Sequence, residues 1–259
     1  MKISVAGKKG DKLNFVIQGT TPAFANALRR IMISEVPTMA VDTVDFYENS
    51  SVLFDEFIAH RLGMIPLSFN PEKFNFKESC KCNGKGCSLC QVVFVIDKTG
   101  PCIVYSGDMK SSNKDVKPLS PDFPIVELLG GQRLKLEAIA IMGIGKNHSK
   151  WQASNAYYQY YPEIVVKDEK DSKKCLKECP KGLIKFKAGK PVISDPMQCD
   201  LCKACVEGCK GIEIRGDETR IIFRVESVSG LKPDYIISKA AEILEKKAED
   251  FKKEIKKSE

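Results

Sequence analysis

Long apolar runs are absent from this 259-residue sequence. A membrane-spanning helix needs about 20 mostly apolar residues in succession, and a secretory leader needs a shorter apolar stretch near the N-terminus. Neither pattern is found, so we expect a cytoplasmic protein that does not enter a membrane. A basic block is missing as well: 41 Lys and Arg against 34 acidic residues give +7, but the charges are spread along the chain. This spread argues against direct sequence-specific binding of nucleic acid.

Residues suited to catalysis are scarce. The chain has two histidines, His60 and His148, and no Ser or Cys nucleophile motif accompanies either of them. We interpret both as structural or interface residues. Gly143 and Gly145 lack the third glycine of a phosphate-binding loop, and no dinucleotide or flavin fingerprint is present. The sequence therefore predicts no catalytic residue.

Cysteine, by contrast, is abundant, and six of the eleven cysteines lie between Cys175 and Cys209. Three of them follow at intervals of three residues, and a fourth precedes a proline, as in ferredoxins that bind [4Fe–4S] clusters. This pattern predicts one [4Fe–4S] cluster on a ferredoxin-type set, which consists of Cys179, Cys199, Cys202 and Cys205.

A second cluster is not expected. A two-cluster ferredoxin repeats its cysteine pattern, but Glu169 and Ser172 stand where the first two cysteines of the other half belong. Cys175 and Cys209 would have bound that missing cluster. We therefore expect them to lie near each other, either free or joined in a disulfide.

A separate four-cysteine loop lies earlier in the chain and consists of Cys80, Cys82, Cys87 and Cys90. Residues 83–86 read Asn-Gly-Lys-Gly, which allows the tight reversal needed to bring two pairs of thiols together. Four sulfur ligands in a closed loop suit a structural Zn²⁺ ion. A pair of disulfides is the alternative, although cysteines in two metal-type groups favour a reducing cytosol.

Two amphipathic helices are predicted near the ends of the chain. The first follows Thr21 as its cap and Pro22 as its first residue, and it ends before Pro37. The last runs from about Pro233 to Ile255. The apolar stripes of these two helices and one small sheet form a layer whose apolar surface is only half covered within the chain. This favours a partner subunit that covers the rest. The apolar residues predicted at this interface are Phe24, Leu28, Ile31, Ile237, Leu244 and Phe251.

The expected fold class is α+β. A hairpin turning at 7–10 opens the chain, and the clearest strands of the middle region are 92–96 and 134–142. We predict a discontinuous dimerisation domain with an inserted, mostly β domain and a ferredoxin-like module. The ranges are 1–45 with 222–259 for dimerisation, 46–168 with 213–221 for the inserted domain with the four-cysteine loop, and 169–212 for the iron–sulfur module.

Three segments resemble a known family. Residues 26–42 (NALRRIMISEVPTMAVD), 55–67 (DEFIAHRLGMIPL) and 143–151 (GIGKNHSKW) are similar to motifs of the alpha-like subunits of RNA polymerases. This family includes the bacterial alpha subunit and the third-largest subunit of eukaryotic RNA polymerase II. The four-cysteine loop and the ferredoxin-like insert make the chain most similar to the family's archaeal members, which belong to the archaeal DNA-directed RNA polymerase.

The resemblance implies a role in assembly. The archaeal members of this family pair with a small subunit L through alpha-type helices, and then recruit subunits N and P and the second-largest subunit. The nucleotidyltransferase site lies on other chains. Arg29 and Arg30 suit phosphate, but the resemblance implies that they contact carboxylates of a partner subunit. The alternative function is an iron–sulfur electron-transfer subunit of an oxidoreductase, although a single complete set of cysteines offers no chain of clusters for electron flow.

Overall fold

The computed structural model describes residues 1–172, 174–187 and 189–258. Lys173 and Ala188, in the predicted iron–sulfur module, and Glu259, at the end of the predicted dimerisation domain, lie outside the described residues. The described residues form fourteen strands and five α-helices, so the mixed α and β architecture is confirmed. The strands are β1 (Lys2–Lys9), β2 (Lys12–Gln18), β3 (Thr38–Asn49), β4 (Leu67–Ser68), β5 (Gln91–Thr99), β6 (Cys102–Tyr105), β7 (Lys110–Ser111), β8 (Lys117–Pro118), β9 (Pro124–Leu128), β10 (Arg133–Gly143), β11 (Ser154–Val166), β12 (Ile184–Lys187), β13 (Lys190–Ile193) and β14 (Ile212–Ser227). The helices are α1 (Pro22–Ser34), α2 (Asp55–Met64), α3 (Glu169–Ser172), α4 (Ala204–Glu207) and α5 (Pro233–Ser258).

The chain folds into two compact units, each built from two stretches of sequence. The first unit combines Met1–Arg29 with Ala156–Val225, and the second combines Arg30–Asn155 with Glu226–Glu259. The three domain ranges expected from the sequence stay a prediction.

The first unit contains a four-stranded sheet in the order β1-β2-β14-β11. Its β1–β2 hairpin is antiparallel, and the reversal falls at residues 10–11. The expected turn at residues 7–10 was placed too early, because the strand continues through a register shift between Val5 and Gly7. Gly10 supplies the positive φ of +55° that the turn requires.

Aromatic side chains pack together on one face of this sheet. Phe223 on β14 is fully buried, and its ring stacks on Phe15 of β2 with 5.1 Å between ring centroids. The ring of Tyr158 on β11 lies 5.5 Å from the same ring. Three strands are thus joined on one face by side chains that are far apart in sequence.

The second unit is built around a sheet in the order β3-β10-β5-β7. The central strand β10 pairs antiparallel with both β3 and β5, and the predicted strands at 92–96 and 134–142 are confirmed within them. Alternate residues of β10 from Leu134 to Ala140 are buried, as expected for a strand with one face in a core. Ile58 and Leu62 of α2 are buried as well.

The two helices predicted near the chain ends are confirmed. The Thr21 hydroxyl accepts a hydrogen bond from the Phe24 N–H at 3.3 Å, so Thr21 caps α1 as expected. Helix α5 continues three residues beyond the expected end at Ile255. Of the helices that the structure describes, none is long and apolar enough to cross a membrane.

Candidate metal centres and partner surface

The four-cysteine loop brings its sulfur atoms together immediately before β5. The Sγ atoms of Cys80 and Cys87 are 3.6 Å apart, as are those of Cys82 and Cys90, and the Cys87–Cys90 distance is 3.8 Å. All four are unbonded thiols. A Zn²⁺ ion with four tetrahedral bonds of ~2.3 Å places its sulfur ligands ~3.8 Å apart. The loop therefore has the dimensions of a single-ion site.

Left-handed backbone shapes this loop. Asn83, Gly84 and Gly86 have φ values of +52°, +75° and +89°. Asparagine and glycine tolerate this conformation better than other residues. The reversal predicted from residues 83–86 is thus where the chain folds one cysteine pair back on the other.

The environment of the loop divides the thiols by acidity. Burial opposes ionisation of Cys82, but the Gly86 N–H and the other three thiols stabilise its thiolate and lower its pKa to about 6. Burial and the neighbouring thiols raise the pKa of Cys90 to about 12. Since only the thiolate binds metal, a metal ion must displace protons from most of the group.

The ferredoxin-type set is arranged differently. Its four cysteines line one cavity, together with apolar side chains that include Leu183, Ile193 and Ile214. Among the described residues, only the four-cysteine loop has three or more ligand atoms that all lie within 4.8 Å of one another. A cubane cluster carries its cysteines on separate iron atoms, so its thiolates stand farther apart than those around one ion. Four cysteines around one apolar cavity, with sulfur atoms that do not all lie within 4.8 Å of one another, are compatible with such a cluster.

Two residues between these cysteines have a left-handed backbone conformation. Leu201 and Lys203 have φ values of +59° and +63°, a region that non-glycine residues seldom occupy. Such conformations often occur where a chain wraps a ligand. They flank Cys202 in the loop that leads into α4.

Burial changes the pKa values of this set of thiols, and one of the sulfur atoms accepts a backbone hydrogen bond. Burial raises the pKa of Cys199 and of Cys205, and the nearby Cys179 adds to both shifts. The Leu183 N–H donates a hydrogen bond to Cys179 Sγ at 3.4 Å. Backbone N–H groups directed at sulfur are one of the means by which proteins stabilise iron–sulfur clusters.

Cys175 and Cys209 do not line this cavity. They form a disulfide with a Cα–Cα distance of 5.3 Å and are buried among Ile184, Ile212 and Ile214. The sequence left a free pair or a disulfide open for these two residues, and the structure contains the disulfide.

The predicted interface residues on α1 are not equally accessible. Leu28 and Ile31 are buried within this chain, which leaves them little surface for a partner. Phe24 and Arg29 are half-buried, and the Arg29 guanidinium donates to Asn26 Oδ1 at 2.9 Å. Arg30 is exposed.

The predicted residues on α5 become more exposed toward its C-terminal end. Ile237 and Leu244 are half-buried, whereas Phe251 and Ile255 are 69% and 45% exposed. Every described residue from Glu245 to Lys257 is exposed. This half of α5 therefore presents a row of apolar side chains that the chain itself does not cover.

Both histidines border one cavity of the second unit, which the sequence did not predict. His60 and His148 line it together with Asp42 and Lys150, and the Lys150 ammonium lies 2.7 Å from an Asp42 oxygen. His148 Nδ1 accepts a hydrogen bond from the Lys150 N–H at 3.0 Å. The structural or interface roles interpreted for the two histidines stay a prediction.

Comparison with known proteins identifies the family. Residues 14–248 match the model of the RNA polymerase Rpb3/Rpb11 dimerisation domain, which is most of the chain. The chain belongs to the RNA polymerase Rpb3/Rpb11 dimerisation domain family. The match extends from β2 into α5 and includes both groups of cysteines.

Subunits of archaeal RNA polymerases are similar to this chain over almost their whole length. The DNA-directed RNA polymerase subunit Rpo3 of Methanothermobacter thermautotrophicus is 40% identical, with 96% of this chain and 97% of that protein covered. The subunit Rpo3 of Archaeoglobus fulgidus is also 40% identical, with 97% of each chain covered. That of Pyrococcus furiosus is 40% identical over 99% of this chain and 98% of its own. These names favour a polymerase subunit over an electron-transfer protein.

Proposed function

We propose that this chain is a non-catalytic assembly subunit of an archaeal DNA-directed RNA polymerase. It pairs with the small subunit L through α1 and α5, and the heterodimer then recruits subunits N and P and the second-largest subunit. The observation that carries the proposal is the uncovered apolar row at the end of α5, in a chain that belongs to a family of dimerisation domains.

The α5 row has the pattern of a helix that packs on another helix. Leu244, Phe251 and Ile255 are separated by seven and four residues, which places them on one side of the helix. Covering a large apolar side chain contributes about 1.5–3 kcal/mol. A single exposed phenylalanine at this position therefore has a measurable effect on pairing.

The test is heterodimer formation by the full chain with purified subunit L. Phe251→Glu should weaken the complex about tenfold or more, since it places a charge in an apolar contact. Lys253→Glu, about 200° around the same helix, is the matched control and should leave the affinity within about twofold. Native mass spectrometry and analytical ultracentrifugation measure both. A chain that stays monomeric with subunit L, or a Phe251→Glu variant that pairs normally, contradicts the proposal.

The same proposal assigns the two groups of cysteines. The four-cysteine loop holds one Zn²⁺ ion, and the ferredoxin-type set holds one [4Fe–4S] cluster; both stabilise local structure and contribute no active site. The sulfur distances of 3.6–3.8 Å support the first assignment, and the apolar cavity that all four cysteines line supports the second. Such a cluster, when bound, also supplies a redox-active group, which has no assigned task here.

Metal analysis of anaerobically purified chain tests these assignments. We expect one zinc and about four irons per chain, with zinc lost in Cys82→Ser and iron lost in Cys202→Ser. Structural zinc sites contribute ~10–16 kcal/mol of binding free energy, so zinc removal should unfold the loop. About eight irons per chain, or a loop at 80–90 whose four cysteines are joined in two disulfides, would show that the assignments are wrong.

A further inference from the structure

Three successive carbonyl groups at Cys199, in the ferredoxin-type set, accept hydrogen bonds from three side chains. The Met197 carbonyl accepts from the Arg224 guanidinium, and the Gln198 carbonyl accepts from Lys181 Nζ at 3.0 Å. The carbonyl of Cys199 itself accepts from Gln159 Nε2 at 2.9 Å. Backbone carbonyls outside regular structure are paired with side chains or with water, and three separate side chains take this role at residues 197–199.

The donors come from three different segments. Gln159 lies on β11 and Arg224 on the neighbouring strand β14, while Lys181 follows the Cys179-Pro180 pair. Arg224 Nη1 also donates to Gln159 Oε1 at 3.0 Å, so the two strand residues form one connected network. Two of the three donors are cations, and charged donors form the stronger hydrogen bonds.

This arrangement fixes the peptide groups on both sides of Cys199. The direction of its Sγ atom depends on those groups, so the three hydrogen bonds constrain how Cys199 is presented to the cavity. Outer-shell hydrogen bonds that orient metal ligands act in the same way in other metalloproteins.

We propose that Gln159, Arg224 and Lys181 are positioning residues of the iron–sulfur site, which hold the 197–199 loop in its cluster-binding conformation. The inference rests on the cluster assigned under the proposed function. It makes the sheet of the first unit part of the metal centre, because β11 and β14 supply two of the three donors.

Arg224→Lys and Gln159→Leu are the variants that test it. The lysine keeps the charge but loses the two-pronged geometry that contacts both Gln159 and Met197. Leucine keeps most of the volume of Gln159 and removes its hydrogen bonds. Arg220→Lys is the matched control: Arg220 lies on the same strand, pairs with Glu163 at 3.2 Å and stacks on Tyr161, and none of these contacts involves the loop.

The experiment uses full chain reconstituted anaerobically with iron and sulfide, and measures iron release to a chelator together with the visible circular dichroism of the cluster. We expect release about tenfold faster or more in Arg224→Lys and in Gln159→Leu, with altered spectra, and a change within about twofold in Arg220→Lys. The double variant should resemble the single ones, because they break one network.

Lys181→Met provides a further check, since Lys181 is exposed and its replacement leaves the sheet intact. It should also speed release. If the wild-type chain retains its iron and all these variants release iron at the wild-type rate, the inference is wrong, but the cluster assignment stands. Wild-type chain that takes up no iron overturns the cluster assignment, and the inference with it, but leaves the pairing with subunit L untouched.

Discussion

The Lys247 ammonium on α5 lies 2.6 Å from the carboxylate of Glu35, which directly follows α1. The two residues are 212 positions apart in sequence, yet they connect the C-terminal end of α1 to the middle of α5 within the second unit. Beyond this contact, every residue of α5 from Ala248 to Lys257 is exposed. The ion pair therefore lies close to the point beyond which the rest of the chain no longer buries the helix.

This ion pair should contribute little to stability. Both side chains keep access to water, with 51% and 24% exposure, and exposed pairs are typically worth ~0–1 kcal/mol. Lys247→Ala should lower the free energy of unfolding by less than about 1 kcal/mol in low salt, and by less still in high salt. Urea unfolding at two ionic strengths measures this, with Lys252→Ala as the control on the same helix. A larger, salt-independent loss would show that packing of the lysine stem dominates.

The aromatic stack of the first unit should matter far more. Phe223 is fully buried between Phe15 and Tyr158, and removing its ring leaves a cavity. We expect Phe223→Ala to lower the free energy of unfolding by about 3–5 kcal/mol. Phe251→Ala is the matched control, because its ring is exposed and the isolated chain should lose at most about 0.5 kcal/mol. Equal effects of the two variants would contradict this assignment of the core.

Local sequence signals predicted the regular elements well. Thr21 and Pro22 mark the start of α1 because a cap and its helix are adjacent in sequence. The predicted strands at 92–96 and 134–142 lie within β5 and β10, because strand signals are likewise carried by residues adjacent in sequence. The hairpin turn was misplaced because Gly7 and Gly10 both permit a reversal, and only pairing between the two strands decides which of them turns.

Long-range features could not be predicted from the sequence. Gln159 and Arg224 belong to no sequence motif. They contact the 197–199 loop across sequence separations of 40 and 27 residues. The burial of Leu28 and Ile31 within the chain also depends on tertiary packing, so their stripe looked equally suited to a partner. Cysteine spacing identified candidate ligands, because metal geometry restricts the intervals between them.

The Cys175–Cys209 disulfide should stabilise the chain without supporting the metal. It closes a stretch with a sequence separation of 34, for which loss of chain entropy in the unfolded state predicts about 2–4 kcal/mol. The double variant Cys175→Ala with Cys209→Ala should lose that amount in urea unfolding and still take up about four irons. Cys102→Ala, outside both cysteine groups, is the control. Loss of iron in the double variant would place these residues in the cluster site.

Acid should weaken the first unit through Glu213. Hydrogen bonds from Arg215 and Lys167, at 2.6 and 2.9 Å, lower the pKa of the Glu213 carboxyl from its ordinary value of 4.5 to about 2. Since the folded state binds this proton less readily than the unfolded chain, the stabilisation is complete above about pH 5. It is lost as the pH falls from about 4.5 toward 2.

Glu213→Gln removes the charge and should therefore remove this part of the acid sensitivity. Urea midpoints of wild type and variant should differ by a constant amount above about pH 5, and the difference should shrink as the pH approaches about 2. Acid release of metal affects both proteins alike, so it cancels in the comparison. Glu218→Gln, on the same strand, should show a smaller and flatter difference. A Glu213→Gln difference that stays constant down to about pH 2 would mean that Arg215 and Lys167 do not hold the carboxylate in solution.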